Sequence, residues 1–262
     1  MTRALKYVDA DGVKVSYRES GGGEPVVVFV HGALGSSLTW VYQLKAAKEG
    51  GFKALALDLP GHGESEDLVG EVDIARLAEI VEKFMDALGV ERAVLVGHSM
   101  GGAIAMTMAV DHPQRLSGLV LANTGAKLGV LPEILEGLEK DYQRTVAEVI
   151  APLAFSRRTD PKLVEASIAE MLKVPLHVAL RNFKACNSFD LRSKLGEVRA
   201  PTLIIAGDED RLTPLKWAEY LRNNIEGARL KVIEGCGHIA MLEKPLEFNR
   251  ALMDFLARLS LN

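Results

Sequence analysis

The sequence predicts an α/β fold: a mostly parallel sheet wound with helices on both faces, with a helical insertion after the sixth strand. Three observations carry that prediction. Between Val26 and Ala122, apolar runs of strand length alternate with segments of helical period, the order that calls for a parallel sheet covered on both sides. The run Pro25-Val26-Val27-Val28-Phe29-Val30 is apolar at every position instead of every second one, which marks a strand buried on both faces. Between about Gly125 and Glu197 the alternation stops, and helical patches follow one another, broken by Pro132, Pro152, Pro161 and Pro175.

Taken in order, Lys6 to Val8 and Val13 to Arg18 alternate polar and apolar residues around Asp11-Gly12, a hairpin signal. The Val26–Val30 strand ends at His31-Gly32-Ala33-Leu34-Gly35, and a helix is expected from about Leu38 to Lys48, stopped by Gly50-Gly51. Phe52 to Leu59 reads as a strand, and Pro60-Gly61-His62-Gly63 as a turn. Ile74, Leu77, Ala78, Val81, Met85 and Leu88 recur at helical spacing, so this helix lays one apolar face on the sheet. Ala93 to Val96 is the next strand, a helix runs from Met100 until Pro113 discourages it, and Leu119 to Ala122 is a strand again.

Four helical patches are expected in the insert: Glu133 to Lys140, Arg144 to Phe155, Pro161 to Leu172 and Leu176 to Ala185. The sheet resumes at Thr202 to Ala206, a helix spans about Leu215 to Asn223, and Arg229 to Ile233 is the last strand. Pro245 suits the first turn of the closing helix, which turns Phe248, Leu252, Phe255 and Leu259 inward. The expected division is a core of residues 1–124 and 197–262 and a cap of residues 125–196.

Bulk properties narrow the function. The 262 residues are 48% hydrophobic and 25% charged, the balance of a globular chain. A net charge of -4 and a pI near 5.9 argue against a nucleic-acid partner. The apolar runs fall well short of the roughly 20 residues of a membrane span, and no secretory leader is expected. Two widely separated cysteines, Cys186 and Cys236, make neither a disulfide framework nor a zinc cluster, so a cytoplasmic place of work is expected.

The chemistry gathers at Ser99. It stands between Gly97 and Gly101 where a strand turns into a helix, the G-x-S-x-G pattern of a nucleophile elbow. A serine exposed at such a turn takes a strained backbone conformation, tolerable where its neighbours lack a Cβ. The helix behind it aims free N–H groups, that of Met100 first, at any oxyanion formed there. A serine hydroxyl needs a neutral imidazole to take its proton, and the imidazole needs an acid to fix its tautomer. Sites in open α/β sheets form beyond the carboxyl ends of the strands, and His238 follows the last strand in Glu234-Gly235-Cys236-Gly237-His238. His98 is expected to prop the elbow, His31 and His62 to order their loops, and His112 to sit at a helix end. His177 carries no signal of a partner. For the acid, Gly207-Asp208-Glu209-Asp210 offers three carboxylates at another strand end.

Together the elbow, His31-Gly32-Ala33-Leu34-Gly35 and Gly207-Asp208-Glu209-Asp210-Arg211-Leu212-Thr213-Pro214 resemble the α/β-hydrolase family over nearly the whole chain. The resemblance implies the α/β-hydrolase fold with a cap, and the pattern G-x-x-D-x-x-x-P selects Asp210 as the acid, with Asp208 the alternative. The family's H-G-x-x-G loop implies that Ala33 supplies the second oxyanion N–H beside Met100. Leu119-Val120-Leu121-Ala122-Asn123-Thr124-Gly125-Ala126-Lys127 resembles the same stretch of enol-lactone hydrolases. Other relatives are cofactor-free haloperoxidases, C–C bond hydrolases or non-catalytic ligand receptors. A serine at the elbow separates the chain from dehalogenases and epoxide hydrolases, which carry aspartate there.

The expected activity is hydrolysis of a small-molecule carboxylic ester through Ser99, His238 and Asp210 and an acyl-enzyme. Leu34, Leu135, Phe155, Met171, Leu212 and Ile239 are the candidate pocket residues, with Phe183 a further one. The basic residues Arg157, Arg158, Arg181, Lys184 and Arg192 of the insert read as a solvated face. No nucleotide-binding glycine motif and no metal-spaced histidine pair occurs, so no cofactor and no metal are expected. The oligomeric state is left open.

Overall fold

The computed structural model describes residues 5–260, so the ends of the expected core, 1–4 and 261–262, lie outside it. Eight strands form one sheet in the order β1-β2-β4-β3-β5-β6-β7-β8. The hairpin strands β1 (Lys6–Asp9) and β2 (Lys14–Ser20) are antiparallel, as is β2 to β4 (Ala54–Leu57). The strands β3 (Val27–Val30), β4, β5 (Ala93–His98), β6 (Leu116–Ala122), β7 (Thr202–Gly207) and β8 (Arg229–Ile233) run parallel.

Their unbroken apolar runs have the expected cause. Along β3, Val27 and Phe29 pack into one layer while Val28 and Val30 pack into the other, so both faces need hydrocarbon. Helices α1 (Val41–Glu49) and, at the end of the chain, α11 (Pro245–Leu259) cover the Phe29 face, where Trp40 lies 6.1 Å from Phe248 between ring centroids. Helices α2 (Ile74–Ala87) and α3 (Met100–Asp111) cover the opposite face. The helix expected from Leu38 begins instead as a 3₁₀ turn, Ser37–Trp40, because Ser36 and Thr39 cap one another's backbone amides and tighten that turn.

β3 is flanked by β4 on one side and β5 on the other, so the winding direction reverses there. That reversal splays the connections apart and opens a crevice beyond the carboxyl ends of β3 and β5. Residues 31–36 leave β3 at this crevice, and Ser99 leaves β5 at it.

Between β6 and β7 the described chain holds no strand of the sheet; Lys127 and Asp190 form a single isolated bridge. The segment contains α4 (Pro132–Lys140), α5 (Tyr142–Arg144), a π-helical stretch (Thr145–Ile150), α6 (Ala151–Ala154), α7 (Pro161–Met171) and α8 (Leu176–Ser188). The π-helical stretch precedes Pro152, which has no N–H for the usual bond to residue 148. After β7, α9 (Leu215–Asn224) packs beside the sheet, and α10 (Ala240–Glu243) follows β8. Among the described residues no helix is long and apolar enough to cross a membrane.

Candidate active site

Ser99 sits between β5 and α3 at φ 53° and ψ -115°, a left-handed conformation that a serine holds only under constraint. The constraint is backbone packing on both sides. A Cβ added to Gly97 would lie 2.1 Å from the Gly101 carbonyl oxygen, and one added to Gly101 would lie 2.2 Å from that of Val30. The glycines therefore let strand and helix close on the serine. Its amide donates to the Ala122 carbonyl at 3.1 Å, and the Thr124 hydroxyl donates to the Ser99 carbonyl at 2.8 Å. The turn is tied to β6 from both ends.

Asp210 and His238 meet beyond the ends of β7 and β8. His238 Nδ1 lies 2.8 Å from Asp210 Oδ2, and both side chains are buried. A carboxylate only accepts, so Nδ1 carries the proton and Nε2 is left bare. The other lone pairs of Asp210 are also taken. Oδ1 accepts from the Leu212 and Thr213 amides, each at 2.9 Å, and Oδ2 accepts from Asn123 Nδ2 at 2.9 Å and the Thr213 hydroxyl at 2.7 Å. Burial alone would raise this carboxyl's pKa; the His238 charge and the bonds from His238, Thr213 and Asn123 outweigh it and hold it at about 2. Asp208 accepts from the Cys236 amide at 3.3 Å, and Asp210 is the carboxylate of the trio that meets the imidazole.

The His31–Gly35 loop is held by its histidines, as expected. His31 Nε2 accepts from the Leu59 amide at 2.9 Å, so Nδ1 carries the proton and donates to the Gly32 carbonyl at 2.8 Å. The Gly35 amide reaches the same carbonyl at 3.0 Å. In a trans peptide this turns the Ala33 N–H to the opposite side. His62 Nδ1 donates to the Gly35 carbonyl at 2.8 Å. Burial, the largest influence on both, lowers the pKa of His31 and lowers that of His62 further, so the two rings serve as neutral struts.

Ser99, His238, His98, Gly32 and Ala33 border one cavity of about 290 Å³. Of the expected pocket residues, Leu34, Met171, Leu212 and Ile239 line it, as does Phe183. Leu135 and Phe155 do not, and their place is a correction. Helix α4 buries Ile134 and Leu138, one turn apart, and Leu135 is rotated about 100° away from Ile134. Ala154 faces the cavity, while extended backbone at Phe155 sends the ring into a separate cleft with Val164, Ile168 and Arg211. Tyr42, Ile150 and Leu163 also line the cavity, without having stood out in the sequence. Among the described residues that line the cavity, Glu170 carries the only carboxylate, and neither lysine nor arginine contributes.

Four of the five basic residues singled out in the insert pair with carboxylates of the chain. Arg158 pairs with Glu209 at 3.6 Å, Arg181 with Asp67 at 2.5 Å, Lys184 with Glu139 at 3.2 Å and Arg192 with Asp190 at 2.6 Å. Arg157 borders the separate cleft. His177 does find a partner, Asp67 at 3.0 Å, a contact across more than a hundred residues that local sequence carries no sign of. His112 pairs with Glu82 at 3.2 Å. Cys236 is buried, and burial pushes its thiol pKa far up, which removes thiolate chemistry from beside His238. Among the described residues no group of three or more histidine, cysteine, aspartate or glutamate side chains is gathered as a metal site would be.

The sequence model of the alpha/beta hydrolase family matches residues 27–251. The chain is 32% identical over 269 residues to 2-hydroxy-6-oxo-6-phenylhexa-2,4-dienoate hydrolase of Comamonas testosteroni, spanning 95% of this chain and 93% of the relative. Among solved structures, a thermophilic esterase is 36% identical with a TM-score of 0.87, covering 98% of each chain. The enol-lactonase from Burkholderia xenovorans LB400 is 26% identical with a TM-score of 0.90, covering 96% of this chain and all (100%) of the other.

Proposed function

The chain belongs to the alpha/beta hydrolase family and is a hydrolase, and from that premise we propose that it cleaves uncharged carboxylic esters through an acyl-serine. Ser99 Oγ attacks the ester carbonyl carbon while His238 Nε2 takes its proton. Asp210, ionised and fully hydrogen-bonded, keeps the Nδ1 proton in place and steadies the imidazolium. The Ala33 and Met100 amides receive the oxyanion. His238 returns the proton to the leaving alkoxide, then takes one from a water that attacks the acyl carbon, and passes it to Ser99 Oγ as the acyl–oxygen bond breaks and the acid leaves. In this reading residues 125–196 form a cap over a core of 1–124 and 197–262. Both thiols are free and buried, which fits a reducing compartment, so the proposed place of work is the cytoplasm.

The observation that carries the reading is the 2.8 Å bond between His238 and Asp210, with His238 and Ser99 on the wall of one apolar cavity. The test is a p-nitrophenyl ester series of increasing acyl length, extended to lactones, with wild type and Ser99→Ala, beside a fluorophosphonate label mapped by mass spectrometry. Turnover lost in Ser99→Ala and a label on Ser99 support the reading; a label elsewhere, or undiminished turnover, sinks it.

Likeness to the Comamonas testosteroni hydrolase supports a second reading, C–C bond cleavage in a dienoate. A dienoate brings a carboxylate, and the cavity offers it no lysine or arginine and one repelling carboxylate, Glu170. That balance favours the neutral ester. Comparing kcat/KM for 2-hydroxy-6-oxo-6-phenylhexa-2,4-dienoate with that for the best p-nitrophenyl ester decides between them.

A further inference from the structure

Glu243, five residues beyond His238, ends the short helix α10 and turns its carboxylate back towards the imidazole's own loop. Its Oε1 accepts from the Gly237 amide at 3.1 Å and from the Ile239 amide at 3.2 Å, the amides of the two residues on either side of His238. Its Oε2 accepts from the Ser156 amide at 2.9 Å and from the Thr159 hydroxyl, both in the segment between α6 and α7. The amide of His238 itself donates to the Ala154 carbonyl at 2.6 Å. A Cβ added to Gly237 would stand 2.4 Å from that same carbonyl oxygen, so the two backbones are in close contact.

Three consecutive N–H groups, at 237, 238 and 239, are thus gripped at once, two of them by one charged group. Bonds from backbone amides to a carboxylate are stronger than neutral ones. They set where the Cα of His238 stands, and so where Nε2 points. Nothing in α10 requires this of Glu243: its own amide is already used within the helical turn, donating to the Ile239 carbonyl at 3.0 Å.

Resting on the Ser99–His238 reading above, we propose that Glu243 is the positioning residue for His238. Through its second oxygen it latches the 156–159 segment of the inserted helices to the loop that carries the base. The carboxylate serves four donors with two acceptor oxygens. A glutamine of the same shape has one oxygen, and its NH₂ faces N–H and O–H donors on the other side, so it satisfies the His238 side or the insert, not both.

The experiment compares wild type, Glu243→Gln, Glu243→Asp and His238→Ala well below their melting temperatures. It reads kcat, KM and the rate at which a fluorophosphonate labels Ser99, a step that needs the base but neither substrate fit nor product release. A displaced base predicts that Glu243→Gln loses about tenfold to a hundredfold in kcat and in labelling rate, with KM within twofold. Glu243→Asp, which keeps the charge on a shorter arm, covers the case in which the glutamine variant does not fold, and it loses at least threefold in both. Labelling and kcat within twofold of wild type in a folded variant overturn the proposal, even where the melting temperature falls, because a merely structural role moves only the latter. If His238→Ala labels as fast as wild type, the Ser99–His238 reading fails and the proposal with it. If His238→Ala is slow and the Glu243 variants are not, the assignment of Glu243 fails alone.

Discussion

The ring of His98 packs against that of His238 with centroids 4.7 Å apart, and its Nε2 donates to the His238 carbonyl at 3.0 Å. The residue before Ser99 thereby holds the backbone of His238. Burial, aided by the charge of His238, keeps the pKa of His98 well below the ordinary histidine value, so His98 is a neutral ring in this stack. Changing His98→Phe keeps a ring in the stack and deletes the donor, leaving a buried carbonyl unpaired. We expect urea unfolding to report a loss of about 1–3 kcal/mol, with kcat reduced at little-changed KM. An unfolding free energy equal to wild type would mean the bond contributes nothing.

Asp210→Asn is a sharper test of the tautomer. Oδ1 accepts two backbone amides, from Leu212 and Thr213, so the replacement amide must keep its oxygen there and turn its NH₂ towards His238. Facing a donor, Nδ1 becomes the acceptor and the ring proton moves to Nε2, where it blocks transfer from Ser99. The expected loss in kcat is on the order of 10⁴, as for the same change in a serine-protease triad. Stability should change far less than activity, which thermal melts of the same preparation check.

The sheet was legible in the chain because a strand buried on both faces must be apolar throughout, and the run at Val26–Val30 admits no other packing. Ser99 was legible for a related reason. Strain at φ 53° needs glycine on both sides, and that requirement is written locally as Gly97 and Gly101. Long-range side-chain contacts leave no such mark. Asn123 reaches Asp210 across 87 positions, Ser156 reaches Glu243 across 87, and Asn182 reaches Ala33 across 149. Nothing near any of them in sequence encodes the partner. Pocket walls fall between these cases: Met171 and Phe155 read alike as apolar residues, and only the turn of the backbone after Ala154 sends one into the cavity and the other out of it.

Acid should unfold the protein earlier than a chain with exposed histidines. His31, His62 and His98 all have pKa values lowered chiefly by burial, below the roughly 6.5 they recover on unfolding. Between the folded and unfolded values the unfolded chain binds more protons, so the unfolding free energy falls as pH drops below about 6.5, by up to about 1.4 kcal/mol per pH unit for each ring. Asp210 acts lower. Its folded value of about 2 gives stability that is present above the ordinary carboxyl value near 3.9 and lost as pH falls towards 2. Urea midpoints should fall a little from pH 7.5 to 6.5 and clearly more from 6.5 to 5.5, the second step with a slope of more than one proton. A flat profile would contradict neutral burial of the three rings.

In the proposed mechanism the His31–Gly35 loop carries an oxyanion donor, the Ala33 amide. Asn182, on α8 and 1% exposed, donates from Nδ2 to the Ala33 carbonyl at 3.3 Å and to His62 Nε2 at 2.7 Å. His62 passes the constraint on through Nδ1 to the Gly35 carbonyl at 2.8 Å. One side chain of the inserted helices therefore grips both ends of the turn that presents the Ala33 amide, without itself lining the cavity. Asn182→Leu fills the same space and removes both donors. Losing a whole oxyanion donor typically costs roughly a hundredfold to a thousandfold; a donor that is loosened but still present should cost less, about tenfold in kcat, with KM for a short ester unchanged. A boronic acid inhibitor, which places an oxygen where the oxyanion forms, should weaken by the same factor. If kcat falls while the boronate binds as tightly as before, the loss does not arise at the Ala33 amide, and the grip of Asn182 on the loop is packing alone.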